Sequence, residues 1–191
     1  MLKIKSQRKT YLSTTQIILL SFLCVILIGS VLLSLPISSS DGRALPYIDA
    51  LFTAATATCV TGLVTVGTAA SWSVFGQIVI LLLIQIGGLG IITFMTAVML
   101  LFNRKIDISD RLLIQDAFNL NTLSGIVTFV KKVLVGTLTV EGIGACFYTL
   151  VFVPQFGAKG IWISIFNSVS AFCNAGMDII GDNSLCDYSG N

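Results

Sequence analysis

The sequence contains no histidine and few charged residues: 11 Lys and Arg with 9 Asp and Glu make up 10% of the chain. A soluble domain carries about 25% charged residues, so this composition excludes a water-soluble monomer. The formal net charge of +2 excludes the basic surface of a nucleic-acid-binding domain, and nucleic acid is not expected among the partners. Because 55% of the residues are hydrophobic, the composition indicates an integral membrane protein.

Motifs of enzymes and metal sites are also missing. Without histidine the usual acid–base residue is absent, and neither a G-x-S-x-G elbow nor a phosphate-binding loop occurs. The five cysteines have no C-x-x-C spacing, so a zinc site is not supported. We predict no enzymatic activity, no catalytic residues, no protein-bound metal and no covalently bound cofactor. The glycines of the tract QIGGLGII do not fit a dinucleotide fingerprint, and we interpret them as points of close helix approach.

Charge is absent from Ala50 to Asn103, a tract of 54 residues. One helical crossing of a bilayer needs about 20 residues, so the tract holds either more than one helix, or a helix and a segment that enters the membrane and turns back. Apolar runs predict three spans: Ile17–Leu35, Val74–Phe102 and Val133–Val153. The first, with 19 residues, exceeds the apolar region of about 7–15 residues in a cleaved signal peptide.

The basic residues predict the orientation of these spans, since cytoplasmic loops are enriched in Lys and Arg. If the chain alternates, one side receives nine of the eleven basic residues: Lys3, Lys5, Arg8, Lys9, Arg104, Lys105, Arg111, Lys131 and Lys132. We therefore expect a cytoplasmic N-terminus and a cytoplasmic loop 103–132, with Arg43 and Lys159 outside.

The segment between the first two spans returns to the side on which it emerged, yet it is uncharged after Asp49. Pro46 suits the first turn of a helix and Asp49 the positive end of its dipole, which predicts a short helix ending near Ala57. Thr58–Gly62 follows as a poor helix former, with three β-branched residues and a glycine. This pattern is typical of a re-entrant helix and cation-binding loop. The alternative is a partly buried extracellular loop.

The same pattern recurs 114 residues later, which indicates a repeated structural unit. The shift superposes Phe52 on Phe166, Ala57 on Ala171, Cys59 on Cys173, Gly62 on Gly176 and Gly67 on Gly181. Each unit consists of a span, a short re-entrant helix, a glycine-containing loop and a second span. The second unit lacks only this final span.

The motifs TATCVTGL and AFCNAGM resemble the first two filter loops of the Trk/Ktr/HKT superfamily of potassium transporters. The short basic N-terminus is similar to that of the Ktr-type membrane subunit. The resemblance implies an all-α integral membrane fold of repeated units, each a helix, a re-entrant pore helix with its filter loop, and a helix, with two of an expected four present. Cys59, Cys173 and Met177 depart from the family pattern.

On this basis the chain divides into a cytoplasmic N-terminus (1–15), a first repeat (16–103), a cytoplasmic connector (104–132) and an incomplete second repeat (133–191). Because a ring of carbonyl groups needs loops from every side of a pore, two loops enclose half a ring. The chain is expected to be a fragment of a longer protein. A dimer of half-transporters is the alternative.

The resemblance also implies a function, which is K⁺ transport across the plasma membrane by the membrane subunit of an uptake system. The implied filter residues are Thr58, Cys59, Val60, Thr61, Gly62, Cys173, Asn174, Ala175 and Gly176. K⁺ is the implied transported ion, and Na⁺ is an optional coupling or stimulating ion. The implied partners are a second membrane subunit in a homodimer, a cytosolic nucleotide-binding regulatory subunit and the lipid bilayer. The alternative function is a non-conducting membrane scaffold or interaction subunit.

Glu141 lies inside the third predicted span, where an ionisable side chain is costly. Two interpretations stay open. Either the carboxylate has a functional role in the bundle interior, or it is a buried group satisfied by hydroxyls such as those of Thr137 or Thr139.

Overall fold

A computed structural model describes residues 13–101, 112, 114–116, 118, 125–181 and 184–188. This part of the chain is mainly helical, and its β-structure is one isolated bridge between Ser39 and Trp72. The helices are α1 (Thr14–Leu33), α2 (Tyr47–Cys59), α3 (Thr68–Ser71), α4 (Val74–Leu89), α5 (Ile91–Leu101), α6 (Ile126–Phe156) and α7 (Lys159–Phe172), with short 3-10 helices at Pro36–Ser38 and Ser184–Tyr188. The expected all-helical class is confirmed for the residues described.

Two of these helices, α1 and α6, are long and apolar enough to cross a membrane. A capping box begins α1: the Ser13 hydroxyl accepts from the Gln16 backbone N–H, and the Gln16 side chain accepts from the Ser13 backbone N–H. The 20 residues of α1 reach about 30 Å, which matches the hydrocarbon thickness of a bilayer. The first and third predicted spans are therefore confirmed as membrane-capable helices.

The third span is longer than predicted. Helix α6 has 31 residues, a length of about 46 Å, and it includes Lys131 and Lys132. The predicted span excluded these lysines because charged side chains are costly in hydrocarbon. A helix that is longer than the bilayer core can place them outside the hydrocarbon. The helix ends at Phe156, and the cap residue Gly157 that follows has a φ of +60°.

The prediction of one helix over Val74–Phe102 is wrong. Helix α4 ends at Leu89, α5 begins at Ile91, and the two are bent by 108°. Gly90 between them has a φ of +80°, a backbone conformation that residues with a Cβ atom rarely adopt. The uniform apolar composition predicted a single span because it contains no information about the direction of the helix axis.

Helix α4 joins two groups of helices. It packs against α1 and α2 and also contacts α7, while α7 packs along α6. At the contact with α7, the Trp162 Nε1–H donates to Gln77 Oε1 at 2.8 Å. Gln77 Nε2 in turn donates to the Trp72 carbonyl oxygen at 3.1 Å. Through these contacts α4 sets the position of α7 relative to α2.

The orientation in the membrane rests largely on residues 1–12 and 104–111, which lie outside the described residues. The cytoplasmic side of the N-terminus and of the connector therefore stays a prediction, as do the boundaries of the four predicted segments.

Candidate functional site

Helix α2 ends in a tight turn. The Thr61 N–H donates to the Thr56 carbonyl oxygen at 3.0 Å, and the φ angles of Val60 and Gly62 are +56° and +75°. A β-branched residue in this left-handed region is strained by on the order of 1–3 kcal/mol, and such strain clusters at functional sites. The turn is therefore a candidate for a functional role.

The first two residues of the predicted loop are helical. We expected the helix to end near Ala57, but it continues to Cys59. The Thr58 hydroxyl donates to the Ala54 carbonyl oxygen at 2.7 Å, which satisfies the hydroxyl within the helix. A β-branched threonine is therefore compatible with the last turn of α2.

Helix α7 ends in a turn of the same form. The Ala175 N–H donates to the Ser170 carbonyl oxygen at 2.7 Å, and the φ angles of Asn174 and Gly176 are +58° and +66°. Each of these four residues lies 114 positions after its counterpart in the first turn. Asparagine tolerates the left-handed region better than valine, so the second turn is the less strained of the two.

A side-chain hydroxyl group accepts a hydrogen bond from the backbone of each turn. Thr56 Oγ1 accepts from the Leu63 N–H at 3.0 Å. Ser170 Oγ accepts from the Met177 N–H at 3.1 Å and donates to the Met177 carbonyl oxygen at 2.5 Å. Neither hydroxyl was predicted from the sequence, although the 114-residue shift superposes Thr56 on Ser170 and would have revealed them.

The two turns meet at their glycines. A Cβ atom added to Gly62 would lie 2.8 Å from the Ala175 carbonyl oxygen, and one added to Gly176 would lie 3.6 Å from the Gly62 Cα. A cavity of about 300 Å³ beside this contact is lined by both glycines and by Asp178, among others. The structure thus brings together residues that are far apart in sequence.

Two glycines of α4 pack against the residues that lead into the turns. Gly87 lies against the Thr58 carbonyl oxygen and Gly88 against the Cys173 side chain, so closely that a Cβ atom at either position would overlap its neighbour. The interpretation of this glycine tract as a point of close approach is confirmed for Gly87 and Gly88, whereas Gly90 has no neighbour within 4 Å of an added Cβ atom. The partners of Gly87 and Gly88 are the C-terminal ends of the two short helices α2 and α7.

Glu141 of α6 is buried, with 6% of its surface exposed. Gln85 Nε2 of α4 donates to Oε1 and Oε2 of this carboxylate at 2.9 and 3.1 Å. The partner that the structure shows for the carboxylate is thus an amide rather than a hydroxyl, and Thr139 Oγ1 donates instead to the Val135 carbonyl oxygen of its own helix. Gln85 is one of two glutamines in the apolar span Val74–Phe102, and an amide side chain in such a span was the signal that could have identified it.

The nine predicted filter residues all lie at the two turns or at the helix ends that lead into them. Thr58 and Ala175 are buried, Val60, Gly62 and Cys173 are half-buried, and Cys59, Thr61, Asn174 and Gly176 are exposed.

A family model described as TrkH, cation transport protein, matches residues 3–191. The chain belongs to the TrkH family. The resemblance of the two loop motifs to this group of transporters is therefore confirmed.

Several curated relatives of this TrkH-family chain are named as bacterial uptake proteins. It is 43% identical to the potassium/sodium uptake protein NtpJ of Enterococcus hirae, over 97% of the chain and 41% of that protein. It is 44% identical to the Ktr system potassium uptake protein B of Bacillus subtilis, over 92% of the chain and 39% of that protein. The corresponding protein of Vibrio alginolyticus is 37% identical over 89% of the chain and 37% of its own length. The chain thus spans about two fifths of the length of these relatives.

Proposed function

We propose that the full-length protein transports K⁺ across the plasma membrane as the membrane subunit of an uptake system. The observation that carries the proposal is the pair of matching turns, 114 residues apart, that meet at Gly62 and Gly176. Relatives named as potassium or potassium/sodium uptake proteins support it. The name of the E. hirae relative, a potassium/sodium uptake protein, supports Na⁺ as a transported ion, and Na⁺ is a coupling or stimulating ion in this proposal.

The lengths of the two short helices support a re-entrant arrangement. Helices α2 and α7 have 13 and 14 residues, which gives about 20 Å each, less than the roughly 30 Å of a bilayer core. Each would enter the membrane and stop at its turn, with the negative end of the helix dipole facing a cation. The two form the pore helices of two repeated units in this proposal.

Backbone carbonyl groups would replace the water shell of the ion at the turns. The proposed ion-binding backbone runs from Thr58 to Gly62 and from Cys173 to Gly176. Two residues of each turn have positive φ angles. Successive peptide groups therefore point in directions that a regular helix does not allow. Segments beyond the present chain would supply the remaining sides of the ring.

The proposed partners are a second copy of the membrane subunit and a cytosolic nucleotide-binding regulatory subunit. Two B. subtilis relatives are named as parts of a Ktr system, and a named system supports an assembly of more than one component. The transporting unit is then the full-length chain together with its regulatory subunit.

The function is tested by ion uptake into lipid vesicles that contain the full-length protein and its regulatory subunit. We expect Rb⁺, used as a tracer for K⁺, to enter faster than into protein-free vesicles, and external K⁺ to compete with it. Vesicles that contain the regulatory subunit alone are the control. Uptake equal to that control, with the membrane subunit shown to be inserted, would contradict the proposal.

The orientation is tested by labelling engineered cysteines in intact cells, in a parent variant with Cys186→Ser. We expect a membrane-impermeant maleimide to modify a Ser40→Cys variant in intact cells and a Ser109→Cys variant only after permeabilisation, because basic loops stay in the cytoplasm. Labelling of Ser109→Cys in intact cells would reverse the proposed topology.

A further inference from the structure

Glu141 connects three helices. Its carboxylate accepts two hydrogen bonds from Gln85 of α4, and its backbone carbonyl oxygen accepts one from Ser168 Oγ of α7 at 2.6 Å. Glu141 itself belongs to α6. A buried carboxylate in a membrane-capable helix is costly and usually has a function.

The donors and acceptors of this contact determine how Gln85 is oriented. A carboxylate that accepts two hydrogen bonds requires the amide NH₂ of Gln85 to face Glu141, so the amide oxygen turns the other way. That oxygen accepts from the Cys173 thiol at 3.5 Å. Glu141 thereby sets which atom of Gln85 is presented to Cys173.

Cys173 is also held by the next turn of α4. Gly88 lies three residues after Gln85, on the same face of the helix, and packs directly against the Cys173 side chain. Cys173 caps α7 and leads into the second turn. Its side chain is thus fixed by α4 at two points, one of which depends on Glu141.

We propose that Glu141 is a positioning residue for the second turn: it orients Gln85, Gln85 holds Cys173, and this contact contributes to the preference of transport for K⁺ over Na⁺. The inference rests on the proposed function of the two turns. This role requires a hydrogen-bond acceptor at position 141 and does not require a negative charge. Glutamine can present a carbonyl oxygen to Gln85, whereas leucine cannot.

The test uses the full-length protein with its regulatory subunit and measures KM and maximal rate for K⁺ and for Na⁺ uptake. We expect Glu141→Leu to lower the K⁺/Na⁺ preference by about three- to tenfold, the range that one net hydrogen bond accounts for. We expect Gln85→Leu to have the same effect, because it interrupts the same chain of contacts. Glu141→Gln is expected to stay within about twofold of wild type, since the acceptor is retained.

A double variant separates positioning from folding. Either single leucine variant leaves a buried polar group unsatisfied, but Gln85→Leu with Glu141→Leu removes both partners and should restore the amount of inserted protein. The Cys173 thiol still lacks its acceptor, so we expect the K⁺/Na⁺ preference of the double variant to stay low. Thr139→Val is the matched control on α6, because that hydroxyl donates to a carbonyl of its own helix.

The outcomes are distinct. Wild-type preference in the inserted double variant would overturn the proposal, and so would a loss in Glu141→Gln as large as that in Glu141→Leu. A wild-type protein without uptake above the control would overturn the proposed function of the turns, and this inference with it.

Discussion

Replacing Gly62 with serine in the full-length protein is expected to lower the preference of uptake for K⁺ over Na⁺ by roughly 5- to 30-fold. The φ of Gly62 is +75°, a region that costs a residue with a Cβ atom about 1–2 kcal/mol. A loss of that size from the K⁺-binding conformation of the turn corresponds to this factor. The added Cβ would also lie 2.8 Å from the Ala175 carbonyl oxygen. A single substitution therefore displaces the backbone of both turns. The measurement is competition of Na⁺ with K⁺ for uptake of a Rb⁺ tracer.

Gly67→Ser is the matched control. Gly67 lies five residues further along the chain with a φ of −58°, and a Cβ atom there would be 3.9 Å from the Ala70 Cβ, an ordinary contact. We expect this variant to keep the wild-type ion preference. An unchanged preference in Gly62→Ser, at normal levels in the membrane, would argue against a filter role for Gly62.

Expression of residues 1–191 alone is expected to leave cells that lack K⁺ uptake unable to grow at low K⁺, whereas the full-length gene restores growth. Four residues of the two turns, Cys59, Thr61, Asn174 and Gly176, are exposed among the described residues. Backbone groups that face lipid without partners are unfavourable, and a filter needs carbonyl groups from every side. The piece should insert through its apolar helices without conducting ions.

Three results of this growth experiment would lead to different conclusions. Growth with residues 1–191 alone would favour a pore assembled from several copies, the dimer of half-transporters. Failure of the full-length gene, with the protein in the membrane and the regulatory subunit supplied, would favour a non-conducting scaffold. Growth with the full-length gene only is the expected result, and the amount of inserted protein is measured in each case.

The sequence predicted the helical class, both membrane-capable helices and the positions of both turns, although it placed the end of α2 two residues too early. These features depend on local composition and on a repeat. Few charges and long apolar runs are sufficient to indicate membrane helices, and a glycine after a short helix indicates the turn at Gly62. The 114-residue shift then identified Gly176 without any knowledge of its surroundings.

Three other features depended on the tertiary structure. The 108° bend at Gly90 involves the direction of a helix axis, and an apolar composition is equally compatible with a straight span. The partner of Glu141 is Gln85, which lies 56 residues away in sequence and approaches only because α4 packs between the two groups of helices. The contact of Gly62 with Gly176 has the same origin. Local sequence determines which backbone conformations are allowed, whereas the packing of α4 against α2 and α7 decides which of those turns come together.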